Sequence, residues 1–142
     1  MAATRSASAH WEGSLMEGSG QVSLDSSGIG TYEVTWPART EEPQGRTSPE
    51  ELIAAAHSTC FSMSLSHALA QAGHAPTSVD TTAAVTFQPG TGITGIALTV
   101  TASVPGITAE QFAEFAEGAK TGCPVSQALS AVPITLDATL AE

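Results

Sequence analysis

Two cysteines are the side chains of this 142-residue sequence best equipped for covalent chemistry. Cys60 lies inside a long uncharged run, and Cys123 lies 63 positions further on, in Gly122-Cys123-Pro124-Val125-Ser126. Neither setting matches a zinc site or a Cys-x-x-Cys redox pair. Two readings stand: packed thiols, or a nucleophile with a resolving partner. Only a thiolate attacks, so the second reading requires cations or hydrogen-bond donors that lower a thiol pKa.

Cations are scarce. Arg5, Arg39, Arg46 and Lys120 face 14 acidic residues, for a net charge of −10. Arg5 belongs to the terminal segment and Lys120 neighbours Cys123. Arg39 and Arg46, just ahead of the run that holds Cys60, are the candidate activators of that thiol, although either also fits a solvated loop arginine. Cys123 immediately precedes Pro124, where free backbone N–H groups and the positive end of a helix dipole favour a thiolate. Local rules therefore lean towards Cys123 and leave the two thiols unranked.

Glu50 either orients one of these arginines or serves the dipole of its own helix. It precedes Cys60 by ten residues, which is about 15 Å of helical rise and too far for one hydrogen bond. A long arginine must bridge them, or Glu50 comes from a second subunit. A core made largely of alanine, with aromatics at 5%, favours the second subunit. His57 shares a helix face with Cys60, as a base–nucleophile pair or half a metal site would. No third ligand presents itself, so a core histidine with a satisfied ring nitrogen is expected instead. The remaining histidines, His10, His67 and His74, form no pattern with it.

The elements that must position these groups are well punctuated. Residues 7–11, 21–24 and 31–36 are short β-prone runs, with Asp25-Ser26-Ser27-Gly28 as turn chemistry between the latter two. Residues 37–46 read as a polar loop. Ser48 at the N-cap, Pro49 at N1 and Glu51 at N3 then predict a capping box and a helix start. Leu52, Ala55, Ala56, Thr59, Cys60, Met63, His67 and Ala70 follow helical spacing up to a stop at Gly73. Alternation over 79–87, the turn residues Gln88-Pro89-Gly90-Thr91-Gly92 and a returning strand over 93–104 predict a hairpin. A second helix begins at Thr108, capped with Gln111, and presents Phe112, Phe115, Ala116 and Ala119 on one face. A short helix over 124–129 follows Gly122, and Ile134, Leu136, Ala138 and Leu140 alternate as a last strand.

Strands and helices are segregated, so one α+β domain spanning 1–142 is expected, with antiparallel sheets around a buried central helix. The negative charge argues against nucleic acid and against anionic membrane surfaces. Residues 52–79 carry no Asp, Glu, Lys or Arg, yet seven His, Ser and Gln side chains between His57 and Gln71 make a lipid-spanning helix costly. Without an apolar export segment at the N-terminus, a cytoplasmic protein with reduced thiols is expected.

In order along the chain, the sequence resembles the OsmC/Ohr family of thiol-dependent organic hydroperoxide reductases, its OsmC branch in particular. The resemblance runs through His10-Trp11-Glu12-Gly13, Thr47-Ser48-Pro49-Glu50-Glu51-Leu52-Ile53-Ala54-Ala55-Ala56-His57 and Cys60-Phe61-Ser62-Met63. It continues through Pro76-Thr77-Ser78-Val79-Asp80, Val104-Pro105-Gly106-Ile107 and Gly122-Cys123-Pro124-Val125-Ser126. The resemblance ranks the thiols: Cys60 matches the peroxidatic cysteine and Cys123 the resolving one. Glu50 matches the acidic partner of a catalytic arginine, for which Arg39 is the choice and Arg46 the reserve. It implies an intertwined homodimer with sites at the subunit interface, and an external dithiol reductant of lipoyl or thioredoxin type. Defence against oxidative stress is the implied role, and no metal, haem or flavin is implied. Two rivals from other classes are a non-catalytic dimer that binds a small apolar ligand, and a hydrolase built on Cys60 and His57.

Overall fold

The computed structural model describes residues 1–142. The chain divides into two compact units, Met1–Leu52 and Ile53–Glu142. No helix is long and apolar enough to cross a membrane.

In the first unit, strands β1 (Ser8–Glu12), β2 (Ser19–Ser23) and β3 (Thr31–Val34) form an antiparallel sheet in that order. Trp11 pairs with Gly20. A Cβ at Gly20 would strike the His10 carbonyl oxygen and the Trp11 ring, so this glycine makes room for the indole. The third strand stops earlier than the sequence predicts. Thr35 leaves the sheet to cap helix α1 (Trp36–Thr40), accepting a hydrogen bond from the Ala38 N–H at 3.1 Å. Part of the predicted 37–46 loop is therefore a helical turn, and a threonine cap followed by Pro37 is its sequence signal.

Helix α2 (Pro49–Gln71) begins as expected, with the Glu51 N–H donating to Ser48 Oγ at 3.1 Å. The predicted reciprocal half of the capping box is replaced, because the Glu51 carboxylate accepts from Thr47 Oγ1 at 2.6 Å. At the far end Gly73 takes φ 85°, and the N–H groups of Gly73 and His74 return to the carbonyls of Ala70 and Leu69. That is a Schellman stop, which needs a left-handed residue where glycine stands.

In the second unit α2 places His57, Phe61, Leu65 and Leu69 in one fully buried row. The other predicted row is largely on the outside: Ala55, Ala56, Thr59, Met63, His67 and Ala70 are not buried, and Cys60 at its edge is half-buried. Beyond Glu51 the helix is uncharged, with small apolar and hydroxyl side chains on every side, so periodicity alone selects no face, and the larger side chains occupy the core. Strands β4 (Ser78–Gln88) and β5 (Gly92–Ser103) form the expected antiparallel hairpin. Strand β6 (Ile134–Leu140) instead lies parallel to β5. A parallel neighbour requires a crossover, and helices α3 (Ala109–Gly122) and α4 (Pro124–Ala128) supply it. The inner sheet face (Ile96, Leu98, Val100) packs with Phe61, Leu65, Leu69, Phe112 and Ala116 into one core. The fold is α+β, as the segregated elements predict.

Candidate active site

Each unit contributes one cluster of reactive side chains. In the first, Arg39 in α1 and Glu50 in the first turn of α2 form a forked ion pair. Arg39 Nε donates to Glu50 Oε1 at 2.9 Å and Nη2 donates to Oε2 at 2.8 Å. Glu50 is 7% exposed, and the planar fork satisfies both of its oxygens in a setting where a bare carboxylate would be costly. The Arg39 guanidinium also lies 5.8 Å from the centre of the Trp36 ring, close enough for a cation–π contact. Trp36 draws no attention in the sequence because a tryptophan beside a proline reads as packing.

The other cations are engaged elsewhere. Arg46, the reserve candidate, approaches exposed Glu33 at 3.6 Å. Lys120 pairs with Glu117 at 2.7 Å, and Arg5 reaches the carbonyl of its neighbour Thr4. Arg39 also forms part of the wall of an apolar cavity of about 340 Å³ within the first unit, with Trp11, Leu15, Val22, Trp36 and Leu52. That size suits a small organic ligand, with the guanidinium as its one charged feature.

In the second unit Cys60, from the middle of α2, meets Cys123 at the junction of α3 and α4. Both are free thiols, Cys60 half-buried and Cys123 buried. Burial pushes the Cys60 thiol above its ordinary range, and donating its hydrogen bond to Cys123 pushes it further. The Val125 N–H and the Ser64 hydroxyl only partly offset this. Burial also raises Cys123, but donors outweigh it. The Cys60 thiol, the Ser126 N–H and hydroxyl, and the Val125 N–H together bring Cys123 below the ordinary cysteine value. Within one chain Cys123 is therefore the more acidic of the two thiols, as its position before Pro124 suggests.

His57 is the third buried member. Its Nε2 lies 2.7 Å from Ser126 Oγ, and burial lowers its pKa, so the ring is neutral near pH 7. Ser126 and Ser64, which act on the acidity of the two thiols, have no role assigned from the sequence. Only the helical offset of Ser126 from Cys123 and of Ser64 from Cys60 hints at them. No three His, Cys, Asp or Glu side chains converge to hold a metal ion.

Residues 41–137 match the family model described as OsmC-like protein. The chain belongs to the OsmC family. Peroxiredoxin OsmC of Escherichia coli strain K12 is 49% identical over 132 residues, covering 91% of each chain. Among solved structures, the OsmC-like protein of Mycoplasma pneumoniae superposes with a TM-score of 0.74 at 15% identity over the full length of both chains. An organic hydroperoxide resistance protein from Elizabethkingia anophelis gives 0.66 at 26% identity, over 100% of this chain and 99% of that one. As an OsmC family member the chain is similar to proteins named for peroxide chemistry, and it carries two free thiols, Cys60 half-buried and Cys123 buried.

Proposed function

We propose that this chain is a thiol peroxidase that reduces organic hydroperoxides, alkyl or lipid, to alcohols. The observation that carries the reading is a pair of free thiols, Cys60 and Cys123, close enough to shift each other's pKa, in a chain of the OsmC family. In the first step the Cys60 thiolate attacks the terminal oxygen of ROOH. The O–O bond breaks, a sulfenic acid forms, and the departing alkoxide takes up a proton and leaves as ROH. In the second, the Cys123 thiolate attacks the Cys60 sulfur. A Cys60–Cys123 disulfide forms, and the displaced hydroxide takes up a proton as water. An external dithiol, lipoyl or thioredoxin-type, then reduces the disulfide and is itself oxidised.

Cys60 is the less acidic thiol of an isolated chain, so the first step needs a cation brought to it. Arg39, held by Glu50, is the proposed source. It lowers the Cys60 pKa and stabilises charge developing on the departing oxygen. Glu50 and Cys60 lie ten residues apart on one helix, about 15 Å of rise, so the arginine is proposed to come from a second subunit. The outer face of α2 supports this. After Glu51 the helix carries no Asp, Glu, Lys or Arg, yet Ala56, Thr59 and Met63 stand on its outer side, Met63 by 67%. A homodimer in which each 1–142 chain acts as a single OsmC-like domain would cover that face.

The apolar cavity beside Arg39 supports an organic over an inorganic peroxide, because burying the hydrocarbon adds binding energy that hydrogen peroxide lacks. The test is peroxide consumption with cumene hydroperoxide, with hydrogen peroxide, and by Cys60→Ser. Strong preference for cumene hydroperoxide, and loss in the variant, are expected. Full activity of Cys60→Ser would reject the assignment.

A further inference from the structure

His57 is fully buried, and the peroxidase chemistry above gives it no task. A buried histidine that only fills space gains nothing from a polar ring, so its hydrogen bonds need an explanation. One nitrogen, Nε2, lies 2.7 Å from Ser126 Oγ. The other, Nδ1, is buried and meets no protein partner. Ser126 is itself 3% exposed and follows Cys123 by three residues in the first turn of α4, where its backbone N–H and its hydroxyl both act to lower the Cys123 pKa.

The neutral ring carries one proton, and the serine hydroxyl has one to donate. If the proton sat on Nδ1, a buried N–H would be left unpaired and Ser126 would have to turn its own proton towards Nε2, away from the sulfur. With the proton on Nε2, only a lone pair is left unpaired at Nδ1, which is the more tolerable arrangement in a protein interior. Ser126 Oγ then accepts from His57 and its proton is free for Cys123.

We propose that His57 is a positioning residue for the resolving thiol: its Nε2–H donates to Ser126 Oγ, which aims the Ser126 hydroxyl proton at the Cys123 sulfur. The proposal rests on the peroxidase reading for its effect on turnover, but the donor chain itself exists without peroxide. The groups that face the Cys123 sulfur are the Cys60 thiol, the Ser126 hydroxyl and N–H, and the Val125 N–H. Of these, the Ser126 hydroxyl is the one whose orientation His57 sets. In the resolving step it favours the Cys123 thiolate, whose sulfur forms the new S–S bond as hydroxide leaves the Cys60 sulfur and takes up a proton to become water.

Two readouts test this. In a Cys60→Ser background, the pH dependence of iodoacetamide alkylation gives the Cys123 pKa with no peroxide present. His57→Leu and Ser126→Ala should each raise that pKa by about one unit, while His57→Gln, which restores an N–H donor, should stay near the parent. In the Cys60 protein, single-turnover kinetics with cumene hydroperoxide separate sulfenic acid formation from disulfide formation. A one-unit rise cuts the thiolate about tenfold below its pKa and raises its nucleophilicity about threefold, so disulfide formation should slow about threefold near neutral pH. Formation of the sulfenic acid should be unchanged. An unshifted Cys123 pKa in Ser126→Ala, or equal losses in His57→Leu and His57→Gln, would overturn the proposal. Attack and resolution slowing together would overturn it too. Absence of any sulfenic acid in the parent protein would instead overturn the peroxidase reading, with the alkylation arm still reporting on the donor chain.

Discussion

Arg39 and Glu50 meet as a two-pronged ion pair, with Nε to Oε1 at 2.9 Å and Nη2 to Oε2 at 2.8 Å, and Glu50 almost wholly removed from solvent. The pair joins α1 to the first turn of α2 inside the first unit. It fixes the plane of the guanidinium while Trp36 borders one of its faces. A lysine could match the charge but not the fork.

Replacing Arg39 is therefore expected to separate chemistry from charge. Arg39→Lys should lose roughly 10²-fold or more in turnover of cumene hydroperoxide, the scale of removing one donor to a developing oxyanion. Arg39→Met should also destabilise the protein by about 3–5 kcal/mol, because Glu50 is left buried and unpaired. Denaturant unfolding measures the second effect, and Arg39→Met with Glu50→Gln should recover most of it.

The Cys60 thiol offers a prediction about acidity. In a single chain Cys60 is raised and Cys123 lowered. In the assembled protein, if Arg39 is the activator, Arg39→Gln should return Cys60 to the raised state without moving Cys123. Alkylation rates against pH, measured separately in Cys123→Ser and Cys60→Ser backgrounds, check both halves.

Much of this site is legible in the residues themselves, for identifiable reasons. Cys123 precedes a proline, and Glu50 follows Ser48-Pro49, so backbone rules fix where each sits. Scarcity of cations points to Arg39 and Arg46, and only tertiary geometry shows Arg39 on Glu50 and Arg46 on Glu33. The buried row of α2 is not legible, because alanines and serines surround that helix and Phe61, Leu65 and Leu69 claim the core by size. The parallel pairing of β5 with β6 is hidden as well, since alternation reports the buried face of a strand and not its direction.

The wall of the apolar cavity should set substrate preference. Trp11→Ala and Leu15→Ala are expected to raise KM for a bulky hydroperoxide several-fold, since a large apolar side chain buried against a ligand is worth roughly 1.5–3 kcal/mol at most. Rates with hydrogen peroxide should hardly change. Steady-state kinetics with both peroxides decide this.

Buried His57 makes stability depend on pH with a definite sign. Its folded pKa lies below the ordinary value of 6.5, so the unfolded chain binds the proton more readily. Its contribution is fully present above about pH 6.5 and is lost progressively as pH falls from there towards the folded pKa. Unfolding free energy measured from pH 7.5 to 5 should decline along that interval, and more gently in His57→Gln.

Cys60 and Cys123 are proposed to act as one redox unit. Intact mass after one equivalent of cumene hydroperoxide tests it most directly. The expected product is about 2 Da lighter, with a Cys60–Cys123 bridge found by peptide mapping and reversed by a dithiol. Cys123→Ser should instead give a trappable sulfenic acid at Cys60. Two unmodified thiols after exposure to peroxide would rule out a redox role for the pair.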